Sequence, residues 1–273
     1  MTCVSPVWIQ DKQTGGCMYV PCGRCIGCRL KRAAMWSVRI MHEVKSWDDC
    51  CFVTLTYSPE NLPKDGSLSV EHCQKFFKRL RKNLGRKIKY FLGAEYGDLH
   101  SRPHYHVILF GVSRSDELQI NQSWGLGFVH VGDVSHDSAR YVASYTLKKL
   151  SGPQAAEYAR KGIKPEFSLM SRAPGIGAHY VEQNKPFLRD NSFCIVKGSK
   201  VALPRYYSDK IYNSTEKALL HCLRSDFYEE KFQETKKLSG VDQDYQVGEY
   251  QRGQRDQTKR DLEARQTLKR RKL

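Results

Sequence analysis

The sequence contains no apolar run approaching the roughly 20 residues of a membrane-spanning helix, and its first residues lack the apolar core of a secretory leader. These absences argue against a membrane protein and against export. Acidic residues are scarce: 29 Asp and Glu stand against 45 Lys and Arg, a formal charge of +16. That imbalance selects a polyanionic partner, nucleic acid before an anionic membrane surface. The ten cysteines come without a leader toward an oxidising compartment, so reduced thiols or a metal site are expected in place of a disulfide framework. No internal repeat is visible. What remains is 273 residues, enough for one large domain or one and a half, with aromatics at 11% that suit base stacking and an ordinary core equally.

The most informative stretch is Arg102-Pro103-His104-Tyr105-His106-Val107-Ile108-Leu109-Phe110-Gly111. Pro103 favours an extended approach, and the aromatic and β-branched run that follows reads as a buried strand. Residues i and i+2 share a strand face, so His104 and His106 project together, about 6 to 7 Å apart. Such a pair can hold one metal ion and leave positions open for substrate, or can be polar residues satisfied by the backbone.

Along the chain, residues 29–47 read as an amphipathic helix with Ala33, Trp36, Ile40, Met41, Val44 and Trp47 on its apolar stripe. Cys51–Tyr57 is a strand, and Ser69 caps a helix to about Leu84 that carries Phe76, Phe77 and Leu80 beside Lys75, Lys78, Arg79, Arg81 and Lys82. Lys87–Tyr96 is a second strand, joined by Asp98-Leu99-His100-Ser101 to the histidine strand as an antiparallel hairpin. A short helix over 115–123, a strand over 127–134 and a helix over 136–150 complete the order β–α–β–β–α–β–α. The expected fold is α+β, a central antiparallel sheet with helices on one face. Three segments are expected: residues 1–50, Cys-rich with a basic helix; 51–212, the main domain; and 213–273, a helical, charged tail that is solvated or disordered.

Cys22-Gly23-Arg24-Cys25-Ile26-Gly27-Cys28 spaces three thiols three residues apart, with Cys17 upstream. Cys17, Cys22, Cys25 and Cys28 could wrap a structural Zn²⁺, although no second downstream pair completes a standard arrangement; free thiols in a loop are the alternative. Ser171-Arg172-Ala173-Pro174-Gly175-Ile176-Gly177 and Leu203-Pro204-Arg205-Tyr206-Tyr207 are basic turns. Arg172 and Arg205, with Lys78 and Arg79 of the basic helix, are the candidate DNA contacts, against the reading of ordinary loops and a solvated helix face.

In the helix over 136–150, Ala139, Val142, Ala143, Thr146, Leu147 and Leu150 make one apolar stripe, while Tyr141, Tyr145 and Lys148 lie opposite with Lys149 nearby. Two phenols away from the apolar stripe could act as nucleophiles on a phosphodiester. A phenol with pKa near 10 needs assistance at neutral pH. A metal on His104 and His106 would polarise the phosphate, and Lys148 or Lys149 would stabilise the phenolate or the leaving group. Glu95, at the end of the neighbouring strand, is the candidate third ligand, with Asp98 and His100 as alternatives. Mixed oxygen and imidazole ligation suits Mg²⁺ or Mn²⁺, and would also accept Zn²⁺.

On His104-Tyr105-His106, on Tyr141-Val142-Ala143-Ser144-Tyr145-Thr146-Leu147-Lys148-Lys149, and on Phe52-Val53-Thr54-Leu55-Thr56-Tyr57 in the same order, the chain resembles the HUH endonucleases of rolling-circle replication. The Cys22–Arg29 and Ser171–Gly177 stretches narrow the resemblance to the replication initiators of gokushovirus-type microviruses, small single-stranded-DNA phages. The resemblance implies an RRM-related fold and site-specific nicking of origin DNA, single-stranded and replicative double-stranded, through a 5′-phosphotyrosyl intermediate. It further implies later rejoining of a circle in the host bacterial cytoplasm, with a host helicase and replication proteins as candidate partners. His104 and His106 carry over as metal ligands, and Tyr141 and Tyr145 as nucleophiles. Two departures stand out. Tyr105 replaces the usual aliphatic residue, and Val107–Phe110 holds no glutamine where many relatives place a third ligand. A relaxase- or transposase-type nickase and a non-catalytic DNA-binding protein with a zinc knuckle are the competing readings.

Overall fold

Two short strands, β1 (Val7–Gln10) and β2 (Cys17–Val20), form an antiparallel ribbon in which Val7 faces Val20 and Gln10 faces Cys17. The computed structural model describes residues 3–10, 17–97, 101–144, 158–240 and 244–270. It divides into two units, residues 1–31 with 208–273, and residues 32–207. Helix α1 (Ile26–Val44) begins in the first unit and runs into the second.

The 32–207 unit is built on five antiparallel strands in the order β6-β3-β5-β4-β7. These are β3 (Cys50–Thr56), β4 (Lys89–Tyr96), β5 (Pro103–Phe110), β6 (Val129–Asp133) and β7 (Phe167–Met170). Helices α2 (Val70–Leu84), α3 (Glu117–Trp124) and α4 (described over His136–Ser144) fall between them in the expected order. Beyond β7 come α5 (Ala178–Asn191), the hairpin β8 (Phe193–Val196) and β9 (Ser199–Ala202), and α6 (Arg205–Ile211). The unit is α+β around a central antiparallel sheet, as the pattern implies.

Period-2 alternation decides which residues of β3 face which layer. Cys51, Val53 and Leu55 point to one side with Tyr105, Val107 and Leu109 of β5, and form a core with Cys73, Phe76, Phe77 and Leu80 of α2 and with Ile120 and Trp124 of α3. Helix α2 starts where Ser69 accepts the His72 amide and ends at Gly85, whose φ of 63° lies in the left-handed region that glycine enters without strain. Each buried phenylalanine of α2 contributes roughly 1.5–3 kcal/mol relative to exposure.

The other face is covered as well. Phe91, Ile108 and Phe110 meet Ile40 of α1 and Ala139, Val142 and Ala143 of α4, with Trp36, Met41 and Val44 at the margin. Coverage on one face therefore describes α2 and α3 only. β5 is apolar on both sides over Val107–Phe110, and its second face requires a cover of its own. The same packing moves the start of this unit from the expected residue 51 back to 32.

A polar anchor holds the turn after β7 against α1. The Glu43 carboxylate is buried and receives Lys89 Nζ at 2.8 Å, Trp47 Nε1 at 2.8 Å and the Gly177 amide at 2.6 Å. Arg39 lies between the rings of Trp36 and Tyr206, at 4.0 and 4.1 Å, and donates from Nε to the Ile176 carbonyl at 3.0 Å. Residues 171–177 are thus an anchored loop that includes a cis Ala173–Pro174 bond.

In the other unit, α7 (Ser214–Ser239) begins with a reciprocal cap between Asn213 and Glu216, and α8 (Asp244–Arg270) follows. The described part of the 213–273 segment is helical. Among the described residues no helix is long and apolar enough to cross a membrane.

Candidate active site

The antiparallel register fixes the site before any side chain is considered. Thr54 and Gly93 flank His106 across the ladders, and Thr56 and Glu95 flank His104, so all of these lie on the face that α4 covers. Tyr105 points the other way, into the α2 core, where its hydroxyl meets Tyr57 Oη at 2.8 Å and receives the Ser69 amide at 2.8 Å. An aromatic residue between the histidines therefore leaves their face undisturbed.

The two imidazoles are parallel within 5°, with centroids 6.4 Å apart. His104 Nδ1 is 2.7 Å from the Arg102 carbonyl, which can only accept; the ring therefore carries its hydrogen on Nδ1 and leaves the Nε2 lone pair for a ligand. His106 Nδ1 lies 3.2 Å from Thr54 Oγ1, and its Nε2 lies 3.1 Å from Glu95 Oε1. Phe52 stacks on the His106 ring at 5.9 Å. Adjacent ligands of an octahedral ion at about 2.1 Å are about 3.0 Å apart, so His106 Nε2 and Glu95 Oε1 already have the separation of neighbouring ligands. His104, His106 and Glu95 could hold one divalent ion with positions left open.

Helix α4 adds the reactive group. Ala139, Val142 and Ala143 are buried against the sheet, whereas Tyr141 is 39% exposed. Its ring meets the His106 ring edge-to-face at 5.1 Å, and its hydroxyl donates to Glu95 Oε1 at 3.4 Å. One carboxylate oxygen thus faces both an imidazole and a phenol. Tyr145, Lys148 and Lys149 lie outside the described residues, as do Asp98 and His100.

The other candidates fall in different places. Arg172 is exposed and lines a cleft of about 1130 Å³ with Arg81, Lys82, Arg86, Lys87 and Tyr90, beside the first residue of β4. Glu95 is near that strand's other end, so the cleft and the histidine site are about 20 Å apart along it. The cleft has the charge and one aromatic ring suited to a nucleic-acid backbone. Arg205 is exposed at the start of α6. Lys78 and Arg79 ride on α2, across the sheet from the histidines, and Arg79 donates to the Ser123 and Trp124 carbonyls at 2.6 and 3.0 Å, closing the end of α3. Arg79 therefore ties two helices together.

Cys22, Cys25 and Cys28 are gathered, but the fourth sulfur beside them belongs to Cys3. Cys17 begins β2 opposite Gln10, roughly 10 Å along the ribbon from Val20 and the turn that leads to Cys22. Desolvation raises the Cys25 thiol, but amide donors from Cys28 and Val4 and its sulfur neighbours outweigh it and bring it down to about 6.

Three residues of the histidine site escaped the sequence reading. Thr54 and the Arg102 carbonyl orient the imidazoles. Gly97 leaves room for one: a Cβ there would stand 2.9 Å from His104 Cε1. A glycine directly after a strand that ends in Glu95-Tyr96 was the available signal.

Comparison with known proteins bears on residues 50–150, which match the model of the replication-associated protein ORF2 family. The replication-associated protein ORF2 of Spiroplasma virus 4 is 34% identical over 224 residues, covering 70% of this chain and 67% of that protein. The replication-associated protein VP4 of Bdellovibrio phage phiMH2K is 30% identical over 246 residues, covering 77% of this chain and 76% of its own length. The replication-associated protein ORF4 of Chlamydia phage 1 is 27% identical over 213 residues, 70% of this chain and 53% of its own. No solved structure matches the chain.

Proposed function

The chain belongs to the replication-associated proteins of microviruses, and on that premise we propose that this initiator of phage DNA replication nicks one strand of origin DNA by metal-dependent transesterification onto tyrosine. The observation that carries the proposal is the sharing of Glu95 Oε1 between His106 Nε2, at 3.1 Å, and the Tyr141 hydroxyl, at 3.4 Å. It puts a nucleophile beside a set of metal-ligating atoms.

His104, His106 and Glu95 would hold Mg²⁺ or Mn²⁺, which supplies charge neutralisation at the scissile phosphate. The remaining work belongs to the chain. The Arg102 carbonyl and Thr54 fix the two rings, so the ligating nitrogens need no reorganisation. The Tyr141 oxygen attacks phosphorus, the Tyr–O–P bond forms, and the bond from phosphorus to the 3′-oxygen breaks; that oxygen leaves as a hydroxyl once protonated. One phosphoester replaces another, so a free 3′-hydroxyl can later reverse the step and rejoin the strand. Tyr145 is the second nucleophile proposed for that reversal, with Lys148 or Lys149 stabilising phenolate charge. The cleft that contains Arg172, Arg81 and Lys82 is suited to the backbone of the bound DNA.

The test is cleavage of labelled origin-derived single strands with Mn²⁺. Wild type should cut, and His104→Ala with His106→Ala should abolish cutting while retaining binding in a gel-shift assay. Cutting by that double variant at the wild-type rate, or wild-type cutting in EDTA, would overturn the metal assignment.

A further inference from the structure

The sulfurs of Cys3, Cys22, Cys25 and Cys28 all lie within 4.8 Å of one another. Cys3 Sγ is 3.7 Å from Cys22 Sγ and 3.8 Å from Cys25 Sγ. A disulfide would bring two sulfurs to about 2.05 Å, and none is so joined among the described residues. Zinc bound by thiolates has Zn–S near 2.3 Å; the edge of that tetrahedron is about 1.63 times longer, or about 3.8 Å. The measured sulfur separations are those of a tetrathiolate cage.

Backbone amides complete the surroundings of such a site. Val4 N donates to Cys25 Sγ at 3.4 Å, Cys22 N to Cys3 Sγ at 3.3 Å and Cys25 N to Cys22 Sγ at 3.3 Å. Amide donation to sulfur spreads the charge that four thiolates would place on one ion. Gly23, with a φ of 74°, makes the tight turn that returns the chain from Cys22 to Cys25. Cys28 lies in the first turn of α1, where the helix dipole favours a thiolate. Arg24 and Arg29 line the recess beside Cys22 and Cys25 and offset the net negative charge of a zinc tetrathiolate.

The elements joined here have little else to hold them. Strands β1 and β2 have four residues each, and Val7, Trp8, Ile9 and Tyr19 are exposed. An isolated two-stranded ribbon is marginal in water at best. A cross-link at its base does what a hydrophobic core would otherwise do.

We infer that Cys3, Cys22, Cys25 and Cys28 bind one structural zinc ion in a closed four-sulfur site that clamps the β1–β2 ribbon to the start of α1. With four protein ligands the site has no position for substrate, so its role is distinct from that of His104 and His106.

The experiment is metal analysis of the full chain, purified without chelator, in wild type and in His104→Ala/His106→Ala. Both should contain one zinc per chain. Cobalt substitution should give the thiolate charge-transfer and ligand-field bands of a tetrahedral four-sulfur site. Cys3→Ser should shift those bands and lower zinc content, whereas Cys17→Ser should leave both unchanged. If Cys3→Ser misfolds, partial proteolysis of wild type with and without a zinc chelator serves instead; new cleavage within residues 1–28 only after chelation is expected. Iron in place of zinc, a mass deficit from disulfides with no metal, loss of zinc in the histidine variant, or dependence on Cys17 would each overturn the assignment.

Discussion

Glu95 stands directly across the ladder from His104, yet its carboxylate oxygen lies 3.1 Å from Nε2 of His106, the neighbour two residues on. A diagonal contact of this kind is within reach of a long side chain on one sheet face. It leaves Nε2 of His104, whose Nδ1 is held by Arg102, to complete a three-ligand arc.

Glu95→Gln is therefore expected to keep the fold and the geometry but to remove the anionic oxygen. The Mn²⁺ concentration needed for half-maximal cutting should rise by about 10–100-fold, with thermal stability nearly unchanged. A metal titration of the cleavage rate checks this. An unaltered midpoint would remove Glu95 from the site.

Gly97 is expected to be the tightest steric constraint on His104. A methyl group there would come within 2.9 Å of Cε1 and 3.1 Å of Nδ1, which is bonded to the Arg102 carbonyl. Gly97→Ala should slow cleavage by about tenfold or more, because small misplacements of reacting groups are costly. DNA binding should be retained. Equal rates in mutant and wild type would show that the ring position is not critical.

Glu43 sits in a different environment. Three donors converge on a buried carboxylate, and Glu43→Ala leaves Lys89 without its partner in a half-closed site. Breaking such a pair costs about 3–5 kcal/mol. The urea midpoint of unfolding should fall accordingly. A loss below about 1 kcal/mol would mean that water replaces the carboxylate.

His42 supplies a pH dependence. Burial, aided by Lys45, holds its imidazole down at about 4, stacked on Tyr180 and 3.1 Å from Tyr207 Oη. The unfolded chain takes up that proton near pH 6.5 and the folded chain resists it. The neutral ring's contribution is fully present above about pH 6.5 and is lost as the pH falls toward about 4, by about 3 kcal/mol in total. Stability measured against pH should show this acid limb in wild type and a shallower one in His42→Gln. Identical limbs would place the titration elsewhere.

Much of the 32–207 unit was legible in the sequence because its signals are local. The alternation in β3, the Ser69 cap of α2 and the apolar stripe of α4 each read directly, and Tyr141 emerges away from that stripe as the helical period requires. The hairpin that brings Glu95 to the histidines was legible from its short connection. Long-range placement was not. Cys3 joins Cys22 only because the β1–β2 ribbon folds back, and spacing alone favoured Cys17. Arg79 reads as surface charge until Ser123 and Trp124 arrive from 44 and 45 residues away. The anchors of the 171–177 turn, Arg39 and Glu43, lie on α1 more than a hundred residues earlier, and nothing in the helical period marks them apart from its other charged positions.

The central claim is that a tyrosine of α4 becomes covalently joined to DNA. The most direct measurement is mass spectrometry of the full chain after incubation with Mn²⁺ and origin-derived single-stranded oligonucleotides, followed by mapping of the modified peptide. The account predicts a 5′-phosphonucleotide on Tyr141 or Tyr145, absent with EDTA and absent from the Tyr141→Phe/Tyr145→Phe variant. Cleavage without an adduct, or an adduct that persists in that double variant, would contradict it.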